Sequence, residues 1–232
     1  MVAWKGYDQL CGVARAAEIL GERWALLVVR DLLLGPKRYK DLLDGLPGLS
    51  TNALAARLRG LEGAGVVARQ VVPRPGSGTV YALTPYGREL EPIVISLGLW
   101  GGRTVDPRAS GRPDPGLVVL ALSRRLASEP PPSPLTVVVD LVDLGAFTLR
   151  VGDDREPGIA RGGVPAADLV LTTDLATSWD LYDGTRSLEE LERSGAATVV
   201  GSDAARAHLA RALAPAPDGT HPSTASAQDV RR

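Results

Sequence analysis

The residues best suited by type and spacing to recognition chemistry lie on a segment that Ser50 opens as a helix cap. In STNALAARLRGLEGAG, Leu54, Leu58 and Leu61 recur at i, i+4 and i+7 and so face a core. At about 100° per residue, Asn52, Ala56 and Arg59 project from the opposite side. Asn can pair bidentately with adenine, Arg with guanine, and an alanine methyl can touch a thymine methyl, so this outward face suits a DNA major groove. Thr51 and the helix N-terminus would meet phosphate. A merely solvated amphipathic helix shares the leucine pattern, so the neighbouring segments decide. They are a short preceding helix with Lys37, Arg38 and Lys40 at its start, a tight Leu46-Pro47-Gly48 turn, and a hairpin carrying Arg69 and Arg74. Such cations would clamp phosphate on both sides of a reading helix, with Arg74 at the hairpin tip within reach of a minor groove.

Other chemistry finds less support. Cys11 is the only cysteine, which rules out an intrachain disulfide and a Cys-rich metal site. It sits in an apolar stretch with no adjacent Lys, Arg or His to lower its pKa, which predicts a half-buried, inert thiol; oxidation would have to join it to its copy in a second chain. Asp153, Asp154 and Glu156 cluster where a turn between strands is expected, and acids there are solvated more often than catalytic or calcium-binding. His208 has no Ser, Cys or acidic partner at a spacing that suggests a triad, and His221 falls in an aperiodic tail. With no phosphate loop or dinucleotide fingerprint either, the chain is expected to be no enzyme and to hold no cofactor or metal.

The elements that must position the reading helix follow in order. QLCGVARAAEILG places Leu10, Val13, Ala14, Ala17 and Leu20 at helical spacing and ends at Gly21; ERWALLVVRDLLLGPK predicts a buried central helix; RYKDLLDGLPG predicts a short one. After Gly65 the period changes to alternation. VVARQVV and TVYALT predict a hairpin around PRPGSG, and Thr84-Pro85 opens a helix through Trp100 that Pro92 should kink or split. Its stripe of Leu90, Ile93, Val94, Leu97 and Trp100 is wider than one small domain can cover, which predicts a dimer.

A chain of 232 residues predicts two domains. The Gly/Pro/Arg-rich stretch at 102–115 reads as the linker between a domain at 1–101 and a second at 116–213, followed by a disordered tail at 214–232. Before Val105 there are 13 basic against 9 acidic residues and after it 13 against 18, and all three lysines precede it. The first domain is therefore the one expected to meet phosphate. The second reads as helix, two strands, a third strand, two helices, a short strand and a last helix, giving an α+β domain with a mostly antiparallel sheet. No apolar run reaches the roughly 18 residues of a membrane span, and the N-terminus carries no secretion signal, so a soluble cytoplasmic protein is expected.

Taken together, CGVARAAEILGERWALLVVRDLLLGPKRYKDLL, LPGLSTNALAARLRGLEGAGVVARQVV and YALTPYGRELEPIV resemble the HxlR family of bacterial winged helix-turn-helix regulators over about residues 8 to 101. The resemblance implies a homodimer, formed by the first and last helices of this domain, that binds a pseudo-palindromic operator. Members repress or activate, and repression is the expected mode here. It places Ser50, Thr51, Asn52, Arg57 and Arg59 in the reading helix and Arg74 in the wing. It also places Cys11 where members commonly carry a cysteine that some use to sense oxidants or electrophiles.

LTVVVDLVDLGAFTLRVGD, PAADLVLTTDLATSWDLYDGTRSLEEL and SGAATVVGSDAARAHLARAL resemble the sterol-carrier-protein type 2 fold. That implies a helix-covered sheet around an apolar tunnel for a hydrophobic effector, with Leu120, Phe147, Trp179, Leu181 and Tyr182 as candidate walls. Large apolar residues at such spacing equally make plain core. A competing reading of the whole chain is a lipid-carrier or enzyme module whose winged helix serves protein contacts.

Overall fold

The structure is a computed structural model that describes residues 6–72, 78–102, 104, 113–152 and 158–214. The chain divides into two compact units, residues 1–94 and 95–232.

In the first unit, α1 (Gly12–Leu20) and α2 (Ala25–Leu33) precede a two-residue strand, β1 (Lys37–Arg38). Then come α3 (Tyr39–Gly45), α4 (Thr51–Gly63), the hairpin strands β2 (Val67–Val72) and β3 (Gly78–Leu83), and α5 (Pro85–Arg88). β1 adds to the hairpin to give an antiparallel sheet of order β1-β3-β2, with Lys37 opposite Tyr81 and Tyr81 opposite Arg69. The core is aliphatic: Val28, Leu32, Leu42, Leu54, Leu58, Leu61 and Val66 are all at most 1% exposed. Each turn has a local cause. The Ser50 hydroxyl accepts the Ala53 N–H at 3.2 Å and starts α4. The Thr84 hydroxyl caps α5 through the Gly87 N–H at 3.0 Å, with Pro85 at the first position. Gly87 admits no side chain, because a Cβ there would lie 2.1 Å from the Val66 carbonyl oxygen.

Two details differ from the expectations, and a third matches one. The first helix begins only at Gly12, leaving Leu10 and Val13 exposed and Cys11 exposed at the cap position; their helical spacing marks a face of the helix but does not say what the face meets. The central helix starts after Trp24, which takes a left-handed conformation at φ 78°. The helix from Pro85 splits, and Pro92 lies in the first turn of α6 (Glu91–Gly102), where its missing N–H costs no hydrogen bond. The boundary between the two units falls inside α6, between Val94 and Ile95.

The second unit contains the rest of α6, α7 (Gly116–Ser128), β4 (Leu135–Leu141), β5 (Gly145–Val151), β6 (Ile159–Arg161), β7 (Leu169–Thr173), α8 (Leu175–Asp183), α9 (Leu188–Arg193), β8 (Ala197–Gly201) and α10 (Asp203–Ala212). The sheet order is β6-β5-β4-β7-β8, antiparallel throughout apart from the parallel pair β4–β7. Val137, Val139, Leu141, Phe147, Leu149, Leu169 and Leu171 alternate onto one buried face. Arg125 on α7 donates to the carbonyls of Leu181 and Tyr182 at the end of α8 and of Ala212 at the end of α10. One guanidinium thereby satisfies the C-terminal ends of two helices. The expected acidic turn at Asp153, Asp154 and Glu156, His221, and most of the expected linker and tail lie outside the described residues.

Candidate nucleic-acid interface

α4 is held by its leucine face and presents the opposite face to solvent. Leu54 is 0% exposed and Leu58 and Leu61 are 1% exposed, whereas Ser50, Thr51, Asn52 and Arg59 are exposed and Ala56 is half-buried. The Arg59 Nε–H donates to the Ala55 carbonyl at 3.3 Å, and the residue lines a hollow of about 220 Å³ together with Arg15, Gly60, Gly63 and Ala64. Lys37 lies half-buried on β1, Arg38 is exposed where β1 passes into α3, and Lys40 is exposed on α3. The backbone N–H of Arg38 donates to the Asp41 carboxylate at 3.2 Å, fixing the start of α3. Arg74 lies outside the described residues.

Two arginines expected to meet DNA, Arg57 on the reading helix and Arg69 at phosphate, are engaged by acids. Arg57 sits on the flank of α4 and pairs with Glu22, from the α1–α2 turn, at 3.0 Å. Arg69 on β2 donates through Nε and Nη2 to both oxygens of Glu62 on α4, at 2.7 and 3.2 Å, and lies 5.4 Å from the centre of the Tyr81 ring. Glu62 holds the guanidinium pKa above its ordinary value. Tyr81 is 6.5 Å from Tyr39, whose hydroxyl donates to the Thr51 carbonyl at 2.6 Å. Sequence reasoning passed over Glu22, Tyr39, Glu62 and Tyr81, because each partner comes from a separate element and no fixed spacing links them.

Cys11 is exposed rather than half-buried. Its thiol pKa lies below the ordinary value because the backbone N–H groups of Ala14 and, more weakly, Val13 at the start of α1 favour the thiolate. No neighbouring cation is needed for this shift.

The candidate ligand residues divide into two groups. Leu120 and Phe147 are 2% exposed and Leu181 is 0% exposed. Trp179 and Tyr182 are half-buried one turn apart on α8, their rings meeting edge to face at 5.8 Å. Burial pushes the Tyr182 hydroxyl pKa up and that of the adjacent Arg125 guanidinium down. His208 is 1% exposed on α10, and its Nε2 has no hydrogen-bond partner among the described residues. Among the described residues no cluster of three or more His, Cys, Asp or Glu is placed to hold a metal, and no helix is long and apolar enough to cross a membrane.

The profile of the HxlR-like helix-turn-helix family matches residues 19–109. An uncharacterized HTH-type transcriptional regulator of Synechocystis is 40% identical over 88 residues, 38% of this chain and 65% of that protein, so the chain spans slightly less than two thirds of this relative. The uncharacterized HTH-type transcriptional regulator YvaP of Bacillus subtilis is 39% identical over 93 residues, 40% of this chain and 86% of that protein. Among solved structures, the reduced form of the transcriptional regulator YodB from B. subtilis is 32% identical, covering 44% of this chain and all of that one, with a TM-score of 0.38.

Proposed function

Because the chain belongs to the HxlR-like helix-turn-helix family and is a DNA-binding transcriptional regulator, we propose that it represses transcription as a homodimer bound to a pseudo-palindromic operator. The observation that carries this is the two-sided geometry of α4, with three leucines sunk in the core and Asn52 and Arg59 in solvent. Asn52, Ala56 and Arg59 meet base edges. Ser50, Thr51, Lys37, Arg38, Lys40 and Arg74 meet phosphate or, for Arg74, the minor groove. Dimerisation uses α1, the residues just before it, and α6, where Leu10, ahead of α1, and Val13, Ile93, Leu97 and Trp100 are all exposed, Val13 by 78% and Trp100 by 70%. Apolar groups this open, repeated at i, i+4 and i+7 along α6, suit an isologous contact with a second copy.

Residues 1–101 form the reading and dimerisation domain in this proposal, 102–115 the linker, and 116–213 a sterol-carrier-like sensor that takes a hydrophobic effector and catalyses nothing. The mostly antiparallel sheet with one apolar face and the Trp179–Tyr182 pair support that assignment. A DNA reader works beside the chromosome, in the cytoplasm. The test is selection of duplexes from a random pool by the full chain, followed by footprinting. The expected product is a dyad with half-sites about 10 base pairs apart, or a multiple of that. Equal affinity for all duplexes would sink the proposal. For the sensor, a panel of long-chain fatty acids and sterols should shift operator affinity by roughly 5- to 150-fold, and a panel without effect rejects it.

A further inference from the structure

α4 is anchored in the core by a single line of leucines, and one stripe does not fix a helix against rolling about its own axis. A roll of about 20° moves side-chain tips some 6 Å from the axis by about 2 Å. Recognition of a base edge tolerates roughly 0.5 Å. Something beyond the leucines must hold the outward face, and three polar contacts from three different elements do so. At its N-terminal end the Tyr39 hydroxyl grips the Thr51 carbonyl at 2.6 Å. On one flank Glu22 grips Arg57 at 3.0 Å. At the C-terminal end Arg69 grips Glu62 through two bonds of 2.7 and 3.2 Å, and is itself seated on the Tyr81 ring, beside Tyr39. Tyr39, Tyr81, Arg69 and Glu62 thus form one chain linking residues 51 and 62, about 16 Å apart along the helix.

We propose that Glu22–Arg57, Glu62–Arg69 and the Tyr39–Thr51 contact are positioning contacts that set the roll of the reading helix for sequence-specific binding, and that Arg57 and Arg69 are not phosphate contacts. Charge makes the case. A carboxylate near a polyanion costs affinity, while an arginine without an acidic partner would gain it. Acids at both flanks of a helix that meets DNA therefore oppose binding strength and are explained by geometry. The guanidinium that each acid neutralises is correspondingly withdrawn from the phosphates. This inference rests on the reading of α4 as the base-contacting helix.

The experiment uses the full chain, a duplex selected by the wild type from a random pool, and a scrambled duplex of the same composition. Glu22→Gln and Glu62→Gln, singly and together, free the two arginines while leaving the fold's apolar core intact. Each single change should lower the ratio of specific to non-specific affinity by about fivefold, the scale of coupling between neighbouring residues. Affinity for the selected duplex should fall, affinity for the scrambled duplex should hold or rise slightly with the loss of a carboxylate, and the salt slope and the melting temperature should stay unchanged. Exchanging the charges, Glu62→Arg with Arg69→Glu, should recover part of the ratio lost in Glu62→Gln, the remainder being the lost seat of Arg69 on the Tyr81 ring; a loss of general stability would allow no recovery. Tighter binding to every duplex, with a salt slope steeper by about one for each freed arginine, overturns the proposal and makes Arg57 and Arg69 phosphate contacts. An unchanged ratio overturns it as well, with α4 still the reader. A wild-type chain that selects no sequence overturns both.

Discussion

The N-terminal unit keeps its candidate functional side chains outside a small core, whereas in the C-terminal unit several of the candidates are the core. Asn52 and Arg59 stand in solvent while the leucines behind them are 0–1% exposed. Leu120, Phe147 and Leu181, the side chains that would line an effector site, are themselves 0–2% exposed and packed. A surface reader can meet its ligand without rearranging. A hydrophobic effector entering the second unit would have to part side chains already in contact, and so would bind opened and closed arrangements with different affinities. That difference is what a ligand needs in order to shift an equilibrium.

The sharpest way to break this comparison is to truncate both kinds of residue. Leu120→Ala and Leu181→Ala should each destabilise the protein by about 2–5 kcal/mol in urea unfolding, because they delete fully packed methyl groups. Asn52→Ala should stay within about 0.5 kcal/mol. A loss below about 1 kcal/mol at both leucines would mean that they border open space, and the contrast between the units would fall. Next in size is the open face of α6. Replacing Leu97 and Trp100 by Ser should weaken self-association by about 2–4 kcal/mol, enough to give a monomer at micromolar concentration in sedimentation. A dimer of wild-type strength would remove α6 from the interface.

Arg59→Ala comes third. It should cost about 1–3 kcal/mol of specific binding and relax preference at one base pair per half-site, with stability unchanged. Uniform loss across all sequences would turn Arg59 into a phosphate contact, which the hollow it shares with Arg15 also permits.

How much of this was legible in the sequence depends on how far apart the determinants lie. α4, the hairpin and the main strands of the second unit were readable because cap, period and turn residues sit within a few positions of one another. β1 and β6, with two and three residues, are too short to display a period and exist only through their ladders with β3 and β5. The acids holding Arg57 and Arg69 are invisible for another reason: Glu22 and Glu62 reach their partners through tertiary structure. Apolar spacing located the stripes on α1 and α6 but not the side they face. It located Leu120, Phe147 and Leu181 equally well, yet could not separate a pocket wall from packing, since both need the same residues at the same period.

Cys11 provides the smallest effect and a test of whether the outward-facing character of the first unit extends to its N-terminus. The thiol is exposed, and the Ala14 and Val13 N–H groups lower its pKa, so folding favours the thiolate. A depressed folded pKa contributes stability above the unfolded value and loses it as pH falls through the folded one. Full exposure leaves that contribution too screened to follow by unfolding, so the readout is reactivity. Alkylation by iodoacetamide should have its pH midpoint below that of the same chain unfolded in urea. Near neutral pH the folded thiol should react faster, because more of it is ionised. Well above both midpoints the order should reverse, since a thiolate of lower pKa is the weaker nucleophile, with a Brønsted slope of about 0.4–0.5. Crossing rate profiles would confirm that the helix start tunes the thiol. A folded midpoint at or above the unfolded one would return Cys11 to the inert, sheltered residue that its apolar flanks suggest.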